Sequence, residues 1–236
     1  MSPATSRTVV ITGAAGNLGR AVAQAFAAQG DRLVLLDRDA GRLEAATAGI
    51  GGGDTLRLAA NLLDAASAQS AVAQAIARFG RLDALCNIAG GFRMGEAVHE
   101  TSDETWDFLF GLNAKTLLHM ARAVVPQMLQ QGSGAIVSVA AGAAQRGGAQ
   151  MGAYAASKSA VIRLTESMSA ELRHRGVNVN CVLPSIIDTP ENRKSMPDAN
   201  PAEWVAPEDL ANVIRFLASP QARAVHGAAV PVTGLV

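Results

Sequence analysis

The sequence predicts an α/β fold built on a doubly wound parallel sheet with helices on both faces. Strand-like and helix-like segments alternate along the 236 residues. The strand-like segments are continuous apolar runs, which a sheet needs when helices cover both of its sides. Repeated strand–helix units with right-handed crossovers then wind the sheet outward in two directions. One domain over residues 1–236 fits this length, with residues 1–6 expected to be disordered. In such sheets a ligand sits beyond the carboxyl ends of the strands, where strand order reverses.

Taken in order, Thr8-Val9-Val10-Ile11 is a β-branched run and Asn17 to Ala28 an alanine-rich helix. Arg32 to Leu36 is the next strand, and Ala40 to Ala48 a helix ended by Gly49, Gly51, Gly52 and Gly53, a glycine run that predicts a loop. Thr55–Ala60 and Leu82–Cys86 read as strands around the helix Ala65–Phe79. A long helix, broken in places, is expected over Thr101–Gln131. Ala135–Val139 is a strand, and a helix follows it to about Arg175, with apolar residues at Val161, Leu164, Met168 and Leu172. Val177–Leu183 is a strand, Pro184–Trp204 a Pro-rich polar stretch, Pro207–Ala218 a helix and Ala228–Val232 the last strand.

Half of the residues are apolar, enough for a sizeable core, and 20 basic residues balance 20 acidic ones. That balance points away from nucleic acid and anionic membranes as partners. No apolar run approaches the ~20 residues that span a bilayer. Cys86 and Cys181 fall in apolar strands and are read as reduced, buried thiols of a cytoplasmic protein. His99, His119, His174 and His226 lack metal-ligand spacing, predict no metal site, and are read as solvated or helix-surface residues. Glu191, Arg193 and Lys194 are read as a solvated face, with Arg193 kept as a binding candidate.

Thr12-Gly13-Ala14-Ala15-Gly16-Asn17-Leu18-Gly19 follows the first strand and opens the first helix. Small residues there let the backbone approach a pyrophosphate, and a helix N-terminus offers it N–H donors. Asp37 closes the second strand, where a carboxylate accepts from a ribose diol and repels a 2′-phosphate. NAD(H) is therefore the expected cofactor, with NADP(H) the alternative because Arg38 follows directly. Tyr154 and Lys158 stand at i and i+4 of a helix, on one side of it. An ammonium there is expected to favour the phenolate and lower the tyrosine pKa, which makes the pair a proton-transfer device.

The glycine loop, Asn87-Ile88-Ala89-Gly90, Asn113 and Tyr154-x-x-x-Lys158, in this order, resemble the short-chain dehydrogenase/reductase family from Thr8 to Thr233. The resemblance implies a Rossmann-type, seven-stranded parallel sheet, a nicotinamide cofactor, and hydride transfer to or from a C=O or C=N carbon of a small molecule. It implies that Tyr154 is the acid or base, that Lys158 holds the nicotinamide ribose, and that Asn113 anchors a water in a proton relay. Asn87, Ala89 and Gly90 would line the cofactor, Asn61 and Leu62 would lie at the adenine, and Pro184, Ile187 and Thr189 at the nicotinamide. Phe92, Ala141 and Gln150 would face the substrate.

The chain departs from the family pattern at several places. Gly16-Asn17 stands where another residue and Gly are common, and Pro184-Ser185 where Pro-Gly is usual. Ala140-Ala141 stands where Ser-Ser is usual, which removes the catalytic hydroxyl. Ser138 is an odd number of positions from Ala141 and is expected on the other face of the sheet. The stretch Leu183–Trp204 and Ala89-Gly90-Gly91-Phe92 resemble the corresponding parts of dihydropteridine reductase. A quinonoid C=N is therefore an alternative substrate, and a nucleotide-binding sensor or scaffold with weakened catalysis is a third reading. Small residues at Ala156, Ser159, Ala160 and Ala170 on the outer helix faces predict a homotetramer, with a dimer next.

Overall fold

A computed structural model of the chain describes residues 6–50 and 54–236. The expectations for residues 1–5 and for Gly51, Gly52 and Gly53 lie outside them. Seven strands form one parallel sheet in the order β3-β2-β1-β4-β5-β6-β7. They are β1 Thr8–Thr12, β2 Arg32–Asp37, β3 Thr55–Ala59, β4 Ala84–Asn87, β5 Gly134–Val139, β6 Val177–Pro184 and β7 Ala229–Val232. The order reverses between β1 and β4, so the crevice between their carboxyl ends is where a ligand is expected.

Burial explains the apolar strands. In β1, Val9 and Ile11 pack with Phe26 of α1 (Asn17–Ala27) and Ile214 of α8 (Pro207–Leu217) on one side of the sheet. Val10, between them, packs on the other side with Val72 of α3 (Ala65–Phe79) and Val124 of α5 (Thr116–Gln131). Alternate residues of one strand thus serve two cores, because successive Cβ atoms leave opposite faces. A third cluster seats α6 (Gly152–Leu172) on β6 through Val161, Ile162, Cys181 and Leu183. No helix among the described residues is long and apolar enough to cross a membrane.

Several expected boundaries move for physical reasons. The strand expected from Leu82 starts at Ala84, because the Gln131 side chain takes both the N–H and the C=O of Leu82. The helix expected to reach Arg175 ends at Leu172 and closes through a tight turn at Gly176, φ +78°. The long helix over Thr101–Gln131 is three pieces: α4 (Asp103–Phe110), a π-helical turn at Gly111–Lys115, and α5. The Pro-rich stretch Pro184–Trp204 is not wholly irregular. Pro190 opens the short helix α7 (Pro190–Ser195) at its first position, and the Thr189 hydroxyl caps the Asn192 N–H at 3.2 Å. α2 (Ala40–Thr47) lies close to its expected span, capped by Asp39.

Candidate active site

The turn from β1 to α1 forms a tight backbone cradle. Gly13 has φ +65°, and a Cβ on it would lie 3.0 Å from the backbone of Ala89. A Cβ on Gly19 would lie 2.1 Å from the Gly13 carbonyl oxygen. Only glycine fits at Gly19, and its absence of side chain lets α1 begin directly against the loop. Gly16, the N-cap, offers no side-chain acceptor to the first turn of α1. The free N–H groups and positive potential of that turn are what a pyrophosphate needs. Asp37 sits beside this turn, accepting from Ala15 N at 3.1 Å and from Arg38 N at 2.8 Å. Thr12 Oγ1 accepts from Ile88 N and Ala89 N, which locks the end of β4 onto the cradle. Cradle, uncapped helix and carboxylate together fit an adenine dinucleotide.

Tyr154 and Lys158 lie in the first turns of α6, near the carboxyl ends of β4 and β5. Lys158 Nζ donates to the Val139 carbonyl at 2.8 Å and is 6% exposed. A Cβ on Gly90 would lie 2.9 Å from Asn113 Oδ1 and 3.2 Å from Lys158 Nζ, so Gly90 is the spacer between those side chains. Asn113, in the π-helical turn, accepts from Gly91 N and donates to Gly91 O and Ser157 Oγ. Both amide hydrogens and one acceptor site of Asn113 are used, which makes the side chain a brace for this turn. Ser157 Oγ in turn donates to the Tyr154 carbonyl at 2.8 Å. Sequence reading missed Ser157, although it is one helical turn from Tyr154.

The pKa expectation for Tyr154 is corrected. Burial pushes its hydroxyl up to about 12, and burial brings Lys158 down to about 8. Desolvation is the cause at both groups, and Lys158 Nζ is turned to Val139. Tyr154 is therefore a neutral donor here, with the Phe92 ring edge-on at 4.8 Å between centroids.

Other expected site residues have nearer occupations. Asn87 Nδ2 donates to Ser138 Oγ at 3.2 Å and ties β4 to β5, while its buried Oδ1 has no partner among the described residues. Ser138 is fully buried. Asn61 Oδ1 accepts from Leu63 N and shapes the turn in which Leu62 is buried. His119 is not a surface residue: it is 6% exposed, with Nδ1 2.9 Å from the Leu62 carbonyl. Thr189 Oγ1 is engaged as the α7 cap, Ile187 bridges to Val205, and Pro184 ends β6. Ser159 is not on an outer face either, since its hydroxyl meets the carbonyls of Ala144 and Ala155. Glu191 is more than a solvated carboxylate. Asn17 Nδ2 donates to it at 2.8 Å, linking α7 to the start of α1, and Arg20 supports Asn17 from the other side. Arg193 is paired with Asp188 at 2.6 Å.

A cavity of about 300 Å³ opens beside Tyr154. Arg93, Glu96, Thr101, Thr105 and Gln150 give it polar walls. Hydrogen bonds from Ser102 and Thr105 hold the Glu96 carboxyl below the usual carboxylate range. Among the described residues, no three His, Cys, Asp or Glu side chains gather as metal ligands would.

The family description "short chain dehydrogenase" matches residues 7–200. The chain belongs to the short-chain dehydrogenase/reductase family. It is an oxidoreductase with the Rossmann-type sheet of that family and a nicotinamide cofactor. D-threitol dehydrogenase of Mycolicibacterium smegmatis is 34% identical over 239 residues, spanning 97% of this chain and 92% of the relative. Galactitol 2-dehydrogenase (L-tagatose-forming) of Cereibacter sphaeroides is 34% identical over 236 residues, spanning 95% of this chain and 92% of the relative. Among solved structures, 3-ketoacyl-(acyl-carrier-protein) reductase from Brucella melitensis, complexed with NADH, superposes with a TM-score of 0.88 at 29% identity. That likeness covers 98% of each chain.

Proposed function

We propose that this oxidoreductase moves hydride between NAD(H), in preference to NADP(H), and the carbonyl or secondary-alcohol carbon of a small, hydroxylated molecule. The observation that carries this is the position of Tyr154 in the wall of the polar cavity, one helical turn from the buried Lys158. Two relatives named for polyols support the substrate class.

A bound nicotinamide would supply or accept the hydride; the remaining work belongs to the chain. Gly13, Gly16, Asn17, Leu18 and Gly19 hold the pyrophosphate on the α1 N-terminus. Asp37 takes the ribose diol and repels a 2′-phosphate, while exposed Arg38 competes for it. Tyr154, neutral because it is buried, gives its phenolic proton to the substrate oxygen. Lys158 stabilises the phenolate left behind once it turns from Val139. Asn113 and Ser157 keep the first turn of α6 in place, and Phe92 fixes the tilt of the Tyr154 ring.

Tyr154→Phe tests the proton transfer. With dihydroxyacetone and NADH, kcat is expected to fall by ~10²–10⁴ with NADH affinity unchanged. Retained turnover would sink the reading. Asp37→Ala is expected to narrow the gap between NADH and NADPH affinities, and equal affinities in the wild type would show that Arg38 prevails. A second reading, reduction of a quinonoid C=N, is favoured by the missing hydroxyl at Ala141. Turnover of quinonoid dihydropterin without turnover of ketones would select it. Tight NADH binding with no turnover at all would select the scaffold.

The same reading includes a homotetramer, with a dimer next. Trp106 and Val98, 46% and 75% exposed, border an open cleft with Ala156 on the side of α4 and α6. A monomeric mass in light scattering at micromolar concentration would refute assembly.

A further inference from the structure

The oxygen of a substrate carbonyl gains charge as hydride arrives, and a donor aimed at that oxygen lowers the barrier. At position 141 this chain has a methyl group, 6% exposed, at the end of β5. Ser138 does not substitute, because it is fully buried and receives Asn87. The donor must then come from the wall of the Tyr154 cavity, and most of that wall is committed. Thr101 Oγ1 donates to the Ala97 carbonyl at 3.1 Å. Thr105 Oγ1 donates to Glu96 at 3.0 Å. Arg93 pairs with Glu104 at 3.1 Å while its guanidinium lies 4.1 Å from the centre of the Phe108 ring. Glu96 accepts and has no proton to give. Gln150 lines the same cavity, is exposed, and has no side-chain hydrogen-bond partner among the described residues, so its amide is free to turn to a substrate.

Its backbone is a second, independent sign. Gln150 has φ +60°, and it is the one described non-glycine residue in the left-handed region. Glutamine has no special tolerance for that region, unlike Asn or Asp. The conformation is held from another loop, where Gly95 N donates to the Gln150 carbonyl at 2.9 Å. A strained backbone kept in place by its surroundings is found where a side chain must be aimed.

We propose that Gln150 is a catalytic residue whose side-chain N–H holds the reacting substrate oxygen, the task left open by Ala141. The inference rests on the hydride-transfer reading above. In the reducing direction, hydride from a bound reduced nicotinamide forms the new C–H bond. The C=O π pair moves onto oxygen, and Tyr154 gives that oxygen its proton. Gln150 donates a hydrogen bond throughout and exchanges no proton. In alcohol oxidation the same contact holds the oxygen while Tyr154 takes its proton.

Gln150→Gly removes the amide at a backbone position that glycine adopts without strain, so the variant is expected to fold. Gln150→Glu keeps the length and loses the N–H. With NADH and three probes, 2,3-butanedione, dihydroxyacetone and 9,10-phenanthrenequinone, both variants should lose ~10²-fold in kcat on any probe the wild type reduces, at unchanged NADH affinity. Adding Ala141→Ser to Gln150→Gly should recover most of that loss, because a hydroxyl then stands at the other side of the same oxygen. A kcat within about twofold of wild type in Gln150→Gly, with Tyr154→Phe inactive, would overturn the role of Gln150 and leave the hydride-transfer reading intact. Activity surviving in Tyr154→Phe, or a wild type inert to all three probes, would overturn the reading itself and the inference with it.

Discussion

On the cofactor side of the site, Gly13, Gly19 and Ala89 approach one another backbone to backbone, whereas on the substrate side Phe92 meets Tyr154 and Thr105 meets Glu96 through side chains. The first kind of contact tolerates almost no added atom. The second is a set of polar partners around an open volume, and each can be exchanged for another shape. A site that keeps one cofactor while varying its substrates would divide its materials in this way. In the function proposed above, the cradle carries the affinity and the cavity wall the choice of substrate.

The largest break in that contrast should come from the cradle. Gly19→Ala puts a methyl group 2.1 Å from the Gly13 carbonyl oxygen, so the loop or α1 must shift. We expect a loss of roughly 1–3 kcal/mol in stability, as for other overpacked sites. NADH binding should weaken by at least about tenfold, since donors displaced by an ångström no longer meet a phosphate. Calorimetry and NADH fluorescence titration check both, and unchanged NADH affinity would show that the loop yields more easily than its backbone contacts suggest.

Lys158→Met sits between the two sides and should separate function from stability. Turnover is expected to vanish while unfolding at pH 7 becomes harder by on the order of 1–2 kcal/mol, because a buried ammonium is removed. The folded pKa of Lys158, about 8, lies below its ordinary 10.5, so the folded state binds this proton more weakly than the unfolded chain does. Charging the buried lysine therefore costs stability in full below pH 8. That cost fades as pH rises from 8 to 10.5, and the advantage of the methionine variant should fade with it. Denaturation midpoints of the two proteins that stay equally far apart from pH 7 to 10.5 would contradict this.

The smallest effect should come from the contact that crosses from one side to the other. The Glu191 carboxylate rests on Asn17 at the start of α1, close to where a pyrophosphate belongs. Glu191→Gln removes a like charge from that neighbourhood. It should tighten NADH binding by about two- to fivefold, with the effect shrinking at high salt. Weaker binding would mean that Glu191 holds α7 over the cofactor more than it repels it.

The contrast also explains what the sequence disclosed. Continuous apolar strands, the glycine loop and Asp37 are local patterns, and each foretells its own place in the sheet. Tyr154 and Lys158 were legible because helical spacing fixes their shared side. Ser157, Glu191 and His119 were not, because their meaning lies in partners far along the chain. Glu191 meets Asn17 across 174 positions, and His119 meets the Leu62 carbonyl across 57. No periodicity encodes such pairs. The pKa of Tyr154 was misjudged for a related reason: spacing reveals a neighbour, but burial depends on the whole fold, and here burial prevails.

The π-helical turn at Gly111–Lys115 has one further consequence. It holds one residue more than a regular turn would, so α4 and α5 differ in phase by about 100° from a continuous helix. α5 lies against α3 and the sheet, while α4 faces α6 and carries Trp106 stacked on Phe110 at 4.3 Å. The side chains of α4 can therefore be rewritten without disturbing the turn, but the chain length through it cannot. Removing a single residue between 111 and 115 would swing the Trp106–Phe110 face away from its present outlook and pull Asn113 off Gly91 in the same stroke. The outward face of the molecule and the brace beneath its tyrosine share one count of residues, and neither can drift along the chain alone.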